Sequence, residues 1–472
     1  MPVAYKWHPI TDLGADPKSL TEGELDSLKR VWANQKEEMI QIRTLDEFEK
    51  RLRREWAIET GIIEGVYTLD RGVTRTLIEK GIEAALIPHN ATNRDPELVG
   101  RIIQDHYDAL EGMFDFIGGQ RQLSNGYIKE LHAALLRNQD TYTVVNQFGQ
   151  AFEKTLEKGR YKDAPNNPSR EDGYVHEYSP PEHVASEMDR LLQMHIEHES
   201  RSVPVEVEAA WLHHRFAQVH PFADGNGRVA RAIASLLFIK AGWFPLIVKR
   251  DDRARYIEAL EKADAEDLRP LIGMLVLAQR TAVLQATEIA YDRPMASTHD
   301  AIAAARDRLM LRGRLSPKEW LQVKQTAARL HQSAIQRFSK VAQELQEEIG
   351  RLGKGISFSV ATGISNIAAN IKAVQEAGHA ADFSEYHTAA QLSLSTGRTD
   401  AIVLSFHAIG PRFHGIIGVV AYLLPQGAEP VVIEDGTFQI NYAEDFDPAQ
   451  TRFSAWLERT IVEGLNQWRK TL

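Results

Sequence analysis

Apolar side chains recur at helical spacing through most of the chain down to about Ala290. From Thr21 to about Trp56 the sequence reads as charged helix, with Leu25, Leu28, Val31 and Trp32 spaced for one apolar face. Further helical patterns run from Val73 to Leu86, Pro96 to Phe116 and Asn125 to Leu136, with the turn-rich connector His89 to Pro96 between the first two. Gly159 to Pro181 is rich in Pro, Asn and Gly and predicts irregular chain or a short hairpin. Helices resume at Pro181 and continue to about Ala290.

The pattern changes after Asp292. Ser316-Pro317-Lys-Glu319 combines an N-cap serine, a proline at the first helical position and a capping-box glutamate. It opens a charged helix that runs toward Gly350 and is stopped by Gly353 and Gly355. Ala401 to His407 and Gly415 to Leu424 read as strands, and Val431 to Ile440 as a hairpin turning at Asp435-Gly436. An amphipathic helix from about Pro448 to Trp468 closes the pattern. The expected fold is mainly α: a helical bundle followed by a smaller mixed α/β C-terminal domain. We divide it into an N-terminal helical region (1–100), a core domain (101–292) and a C-terminal helical and mixed α/β region (293–472). No internal repeat or low-complexity segment interrupts it.

Composition narrows the function. The 472 residues leave room for two or three domains, and a hydrophobic share of 43% with 25% charged residues is ordinary for a globular chain. The net charge of −10, from 55 basic and 65 acidic side chains, argues against a general nucleic-acid binder. With no cysteine, disulfides, thiolate metal sites and a cysteine nucleophile are excluded. The N-terminus has no apolar run of signal-peptide length, and the longest apolar run, Ile416 to Leu424, is too short to span a bilayer. A cytoplasmic location without membrane contact is expected, which makes the sequon Asn90-Ala-Thr92 incidental.

The chemistry concentrates in twelve residues, His220-Pro-Phe-Ala-Asp224-Gly225-Asn226-Gly227-Arg228-Val-Ala-Arg231. A helical run leads in and an apolar helical run leads out, so the string forms a loop ending at a helix N-terminus, where free N–H groups and the helix dipole favour anions. His220 can be neutral near pH 7 and accept a proton. Asp224 offers oxygen ligands to Mg²⁺, which binds through one or two carboxylates plus substrate phosphates. Gly225 and Gly227 allow phosphate oxygens to approach the main chain, and the Asn226 amide can orient a phosphate or the loop itself. Arg228 and Arg231, three apart, can face the same anion. A Gly-Asn-Gly alone is an ordinary turn; the whole string is far more specific.

The string resembles the Fic family signature, His-Pro-Phe-x-Asp/Glu-Gly-Asn-Gly/Lys-Arg-x-x-Arg, at every specified position. The resemblance covers roughly the first three hundred residues and implies a Fic-type helical bundle with a short β-hairpin flap. It implies transfer of AMP from ATP to a Ser, Thr or Tyr hydroxyl of a protein target. On that likeness His220 is the base and Asp224 the Mg²⁺ ligand. Gly225, Asn226 and Gly227 form the anion hole, and Arg228 and Arg231 hold the distal phosphates. Thr60-Gly-Ile-Ile-Glu64-Gly65 resembles the family's inhibitory motif, Ser/Thr-x-x-x-Glu-Gly/Asn, on the N-terminal side. Glu64 could then pair with Arg231 and take the place of a γ-phosphate; by itself it would read as a solvated helix residue.

Weaker matches are Gly173, Tyr174, Val175 and His176, where the family carries its target-docking flap, and Tyr256, which resembles an aromatic near the adenine. A surface turn and a core tyrosine are the plain alternatives. His213 and His214 read as packed or solvated side chains rather than metal ligands. Removal of AMP, transfer from another nucleotide or a phosphocholine donor, and a non-catalytic ATP-sensing interaction module stay open as other functions. So does assembly into a homo-oligomer.

Overall fold

The computed structural model describes residues 5–41, 43–145, 150–168, 175–289, 317–353, 355–364, 366–410 and 415–472. It is mainly α-helical, with a mixed C-terminal part. The chain divides into two compact units, Met1–Leu25 with Asp46–Ala282, and Asp26–Leu45 with Val283–Leu472. The charged helical stretch expected from Thr21 to about Trp56 is built as two helices, α1 (Glu24–Gln41) and α2 (Leu45–Ile63). Between them Arg43 takes a positive φ of 56° and the Thr44 N–H bonds back to the Met39 carbonyl, which ends one helix before the next begins.

In the first unit α3 (Arg71–Lys80), α4 (Pro96–Gly118) and α5 (Asn125–Leu135) follow. Asp70, Asp95 and Ser124 cap the three N-termini through side-chain oxygens, as their residue types favour. A hairpin of β1 (Thr141–Val145) and β2 (Ala151–Thr155) comes next, then α6 (Pro181–Ser200), α7 (Val205–Val219) and α8 (Asn226–Lys240). Nearly every residue of α7 and α8 is buried, and α4, α5 and α6 pack around this pair. The loop joining α7 to α8 is the His220–Gly225 string, so its position is set by the best-buried helices of the unit. The unit continues through α9 (Arg253–Asp264) into α10 (Arg269–Ile289).

The second unit holds α11 (Pro317–Glu348), β3 (Ile356–Thr362), α12 (Ile367–Glu376), β4 (Ala381–Thr396), β5 (Thr399–Ile409), β6 (Ile416–Leu424), β7 (Val431–Asn441) and α13 (Phe446–Arg469). Its strands form one antiparallel sheet in the order β3-β4-β5-β6-β7. Ala389, Ala401, Val403, Val420 and Tyr422 on one face pack with Ala373 and Val374 of α12. Phe406 and Phe438 on the other meet Phe453 of α13, and His331 of α11 sits edge-on to Phe406.

The hairpin expected at Val431 to Ile440 is not there: β7 is one strand pairing with β6 on both sides of an irregularity. Asp435 takes φ 54°, and a Cβ on Gly436 would fall 2.6 Å from the Ile433 carbonyl, so the Asp-Gly pair builds a bulge within a strand rather than a turn between two. No described helix is long and apolar enough to cross a membrane.

Candidate active site

His220 ends α7 in a left-handed conformation, φ 51° and ψ 58°, which turns its ring out of the helix. Its Nδ1 lies 3.1 Å from the Ala217 carbonyl. A carbonyl can only accept, so Nδ1 carries the proton and Nε2 is left with a lone pair. Burial, with the nearby Lys162 ammonium, pushes the pKa of His220 down to about 3, so the ring is neutral at physiological pH. Tyr178 stacks on the imidazole at 3.7 Å between centroids and 8° between planes.

The loop that follows is tied from within and from below. Asn226 is 2% exposed; its Oδ1 accepts from the Phe222 N–H at 2.9 Å and its Nδ2 donates to the Phe222 carbonyl at 2.7 Å. Its side chain therefore closes the loop on itself. His132 of α5 donates from Nε2 to the Asp224 carbonyl at 3.1 Å, accepts from the Gly159 N–H at Nδ1, and stacks on Phe222. Gly225 sits at φ 80°, and a Cβ there would come within 2.7 Å of Leu136. The Asp224 carboxylate takes hydrogen bonds on Oδ2 from Gln139 at 2.6 Å and Arg228 at 3.4 Å.

The two arginines differ. Arg228 is 1% exposed and gives Asp224 one long bond, while its Nε and Nη1 are buried without a partner. Buried guanidinium donors left open cost free energy, which an entering anion would recover. Arg231 is saturated by α2 and the turn after it: Nε and Nη2 reach the Thr60 hydroxyl, Nη2 the Thr60 carbonyl, and Nη1 the Glu64 carboxylate at 2.7 Å. Burial lowers its pKa, and the Glu64 charge more than offsets that.

Glu64 also covers the start of α8. A Cβ on Gly227 would collide with its carboxylate, whose carbon lies 2.8 Å away. The other residues of its motif serve that placement. Gly61 leaves room for the Tyr67 ring, which would be 2.6 Å from any Cβ there, and Gly65 at φ 67° ends the helix. Trp56 donates to Ser235 of α8, and the Ala57 carbonyl accepts from His106 of α4, so α2 is fixed along its length.

Tyr256 is 5% exposed and its hydroxyl bonds His213 Nε2 at 2.7 Å. His213 and His214 are buried, the latter bonded to Asp264. Val175 is exposed, His176 stacks on Tyr5 and meets Tyr178 at a tilt of 53°, and Gly173 and Tyr174 lie outside the described residues. Sequence reading passed over Lys162, Tyr178, His132 and Gln139, each separated from the signature by tens of residues and carrying no motif of its own.

Residues 122–238 match the model of the Fic/DOC family. The chain carries a Fic domain. Protein adenylyltransferase fic-1 of Caenorhabditis elegans is 26% identical over 235 residues, 47% of this chain and 40% of that protein. Protein adenylyltransferase Fic of Nematostella vectensis is 38% identical over 95 residues, 20% of each chain. The chain thus spans less than half the length of these curated relatives. A Fic domain containing signaling protein from Bacteroides thetaiotaomicron, known from a crystal structure, is 22% identical and covers 58% of this chain and 97% of its own, with a TM-score of 0.43. The matched stretch of the Fic domain runs from just before α5 into α8 and so takes in the whole His220–Arg231 string.

Proposed function

We propose that this chain is a protein adenylyltransferase that moves AMP from ATP to a Ser, Thr or Tyr hydroxyl of a protein target, and that Glu64 holds it in check. One observation carries the reading. At the N-terminus of α8 a carboxylate already occupies the space over Gly227 and one arginine, while the neighbouring Arg228 keeps two buried donors open. A helix start with two buried arginines is a seat for phosphates, and Glu64 fills part of it.

In the reaction the target hydroxyl oxygen forms a bond to the α-phosphorus as the bond to pyrophosphate breaks, and the leaving oxygen keeps that electron pair. His220 Nε2 takes the hydroxyl proton, as its fixed tautomer allows. Arg228 and the free N–H groups at the start of α8 bind the departing pyrophosphate. Asp224 fits a Mg²⁺ site: its carboxylate is 37% exposed and its two bonds from the protein fall on Oδ2. Among the described residues no three His, Cys, Asp or Glu side chains could hold a metal alone, so nucleotide phosphates would complete the coordination. Bound there, Mg²⁺ would neutralise phosphate charge. Val175, which is exposed, would belong to the flap along which a target segment docks.

The test is His220→Ala incubated with labelled ATP and Mg²⁺. Label transfer to protein should vanish while ATP affinity changes by no more than a few-fold. Continued transfer by a folded His220→Ala protein would remove the base from the mechanism.

A further inference from the structure

Lys162 is 6% exposed, yet among the described residues it has no carboxylate within ion-pair distance. Its ammonium donates to the neutral Asn166 amide oxygen at 2.8 Å. Burial alone pushes its pKa down to about 8. Buried cations in proteins are normally paired, so one without an anion points to an anion that arrives from outside.

Its place says which one. The Lys162 N–H donates to the Pro221 carbonyl at 2.8 Å, one residue past the base. Its Nζ lies 5.8 Å from the centre of the Tyr178 ring, the ring that stacks on His220. Asn166, which holds the ammonium, also donates to the Phe222 carbonyl at 2.8 Å, so the cation is fixed to the His220 end of the loop. Arg228 and Arg231 serve the other end, at the start of α8. Distal phosphates belong with the arginines, and the phosphate nearest the base belongs with the lysine.

We propose that Lys162 binds the α-phosphate of the nucleotide, holding the group being transferred between its ammonium and His220. This rests on the nucleotide reading of the site and adds a substrate-binding residue outside the signature string. The ammonium then meets the negative charge on the α-phosphate oxygens as the target hydroxyl attacks, in a place where it needs no reorganisation.

The test uses two probes, AMP and adenosine, which differ only in the α-phosphate, titrated calorimetrically into the full chain. Lys162→Met should weaken AMP by about tenfold or more, the scale of one lost charge-assisted hydrogen bond, and leave adenosine within about twofold. Lys162→Arg should restore most of the AMP affinity. Lys162→Gln, which keeps a donor for Asn166, serves if the methionine variant does not fold, and should show the same AMP-specific loss. Equal weakening of both probes, or AMP affinity that does not change, overturns the proposal. If AMP discrimination falls as expected but no variant transfers AMP, the assignment of Lys162 stands and the transferase reading fails.

Discussion

Glu64→Gly removes the carboxylate over Gly227 and one of the four hydrogen bonds that Arg231 donates here, leaving the three to Thr60 in place. A hydrogen bond to a charged group is worth about 1.5–3 kcal/mol; with the Glu64 side chain 23% exposed, solvent screening brings the loss to about 1–2 kcal/mol. A domain stable by about 5–15 kcal/mol tolerates that. The gain in activity should be larger. If Glu64 inhibits as proposed, a triphosphate sits displaced from Arg231 and Gly227, and about 1 Å of misplacement costs on the order of a hundredfold in rate. Glu64→Gly should therefore raise AMP transfer roughly a hundredfold, about 2.7 kcal/mol of barrier. Glu64→Gln keeps the bulk over Gly227 without the charge and should fall between. The assay is incorporation of labelled AMP into the chain itself and into cell extract at saturating Mg·ATP, with His220→Ala as the blank. Equal rates for the parent and Glu64→Gly, both above the blank, would refute the inhibitory role.

Arg250 donates to both Glu59 carboxylate oxygens, to the Leu69 carbonyl and to Thr74, and so clamps the end of α2. Arg250→Ala removes the guanidinium from the buried Glu59 and leaves it the backbone N–H of residue 250; it should cost about 3 kcal/mol by urea unfolding and raise basal transfer less than Glu64→Gly does. Gly225→Ala forces a Cβ into Leu136 at positive φ, so stability should drop by about 2–4 kcal/mol with transfer lost; adding Leu136→Ala should return only the contact part. His106, His132 and His213 are fully buried, and burial pushes their pKa values down to about 3, 4 and 3. The unfolded chain then binds more protons below pH 6.5, so stability is complete above that pH and falls as pH drops toward 4, by at most about 1.4 kcal/mol per unit per histidine. His198, with a raised pKa from Glu208 and Asp12 that outweighs its burial, works in the opposite direction. Urea titrations at pH 7.5 and 5.5 should show the net loss, reduced in His106→Gln.

What the sequence could show was whatever one element states locally. Helical periodicity located α4, α5 and α13 to within a few residues, and the signature string marked the turn between α7 and α8. The breaks came where tertiary context overrides local pattern. Asp435-Gly436 has ideal turn chemistry, but β6 pairs with the chain on both sides of it and keeps the strand running. Strands β2 and β3 lie on exposed or half-exposed surface, where no buried apolar stripe marks them, whereas in β4 Leu392 and Leu394 are buried between serines in a stretch whose first half is polar. In the site, Asn226 spends its side chain on Phe222, and Tyr256 on His213; neither choice is visible without the fold.

Charge balance connects inhibition to stability. Arg228, Arg231 and Lys162 place three cations in the buried interior of the Fic domain; among the described residues Asp224 pairs with the first, Glu64 with the second, and no carboxylate with the third. Two carboxylates against three cations leave the site electropositive without nucleotide, which costs stability and favours a polyanion. Under the inhibition proposed for Glu64, that carboxylate would act as a fixed partial substitute for a phosphate tail, relieving the same repulsion at Arg231. Inhibition would then follow from stabilising the empty site, and a change that frees α8 for ATP would leave Arg231 less well satisfied until ATP arrives. On that proposal, activity and resting stability oppose each other through this one carboxylate.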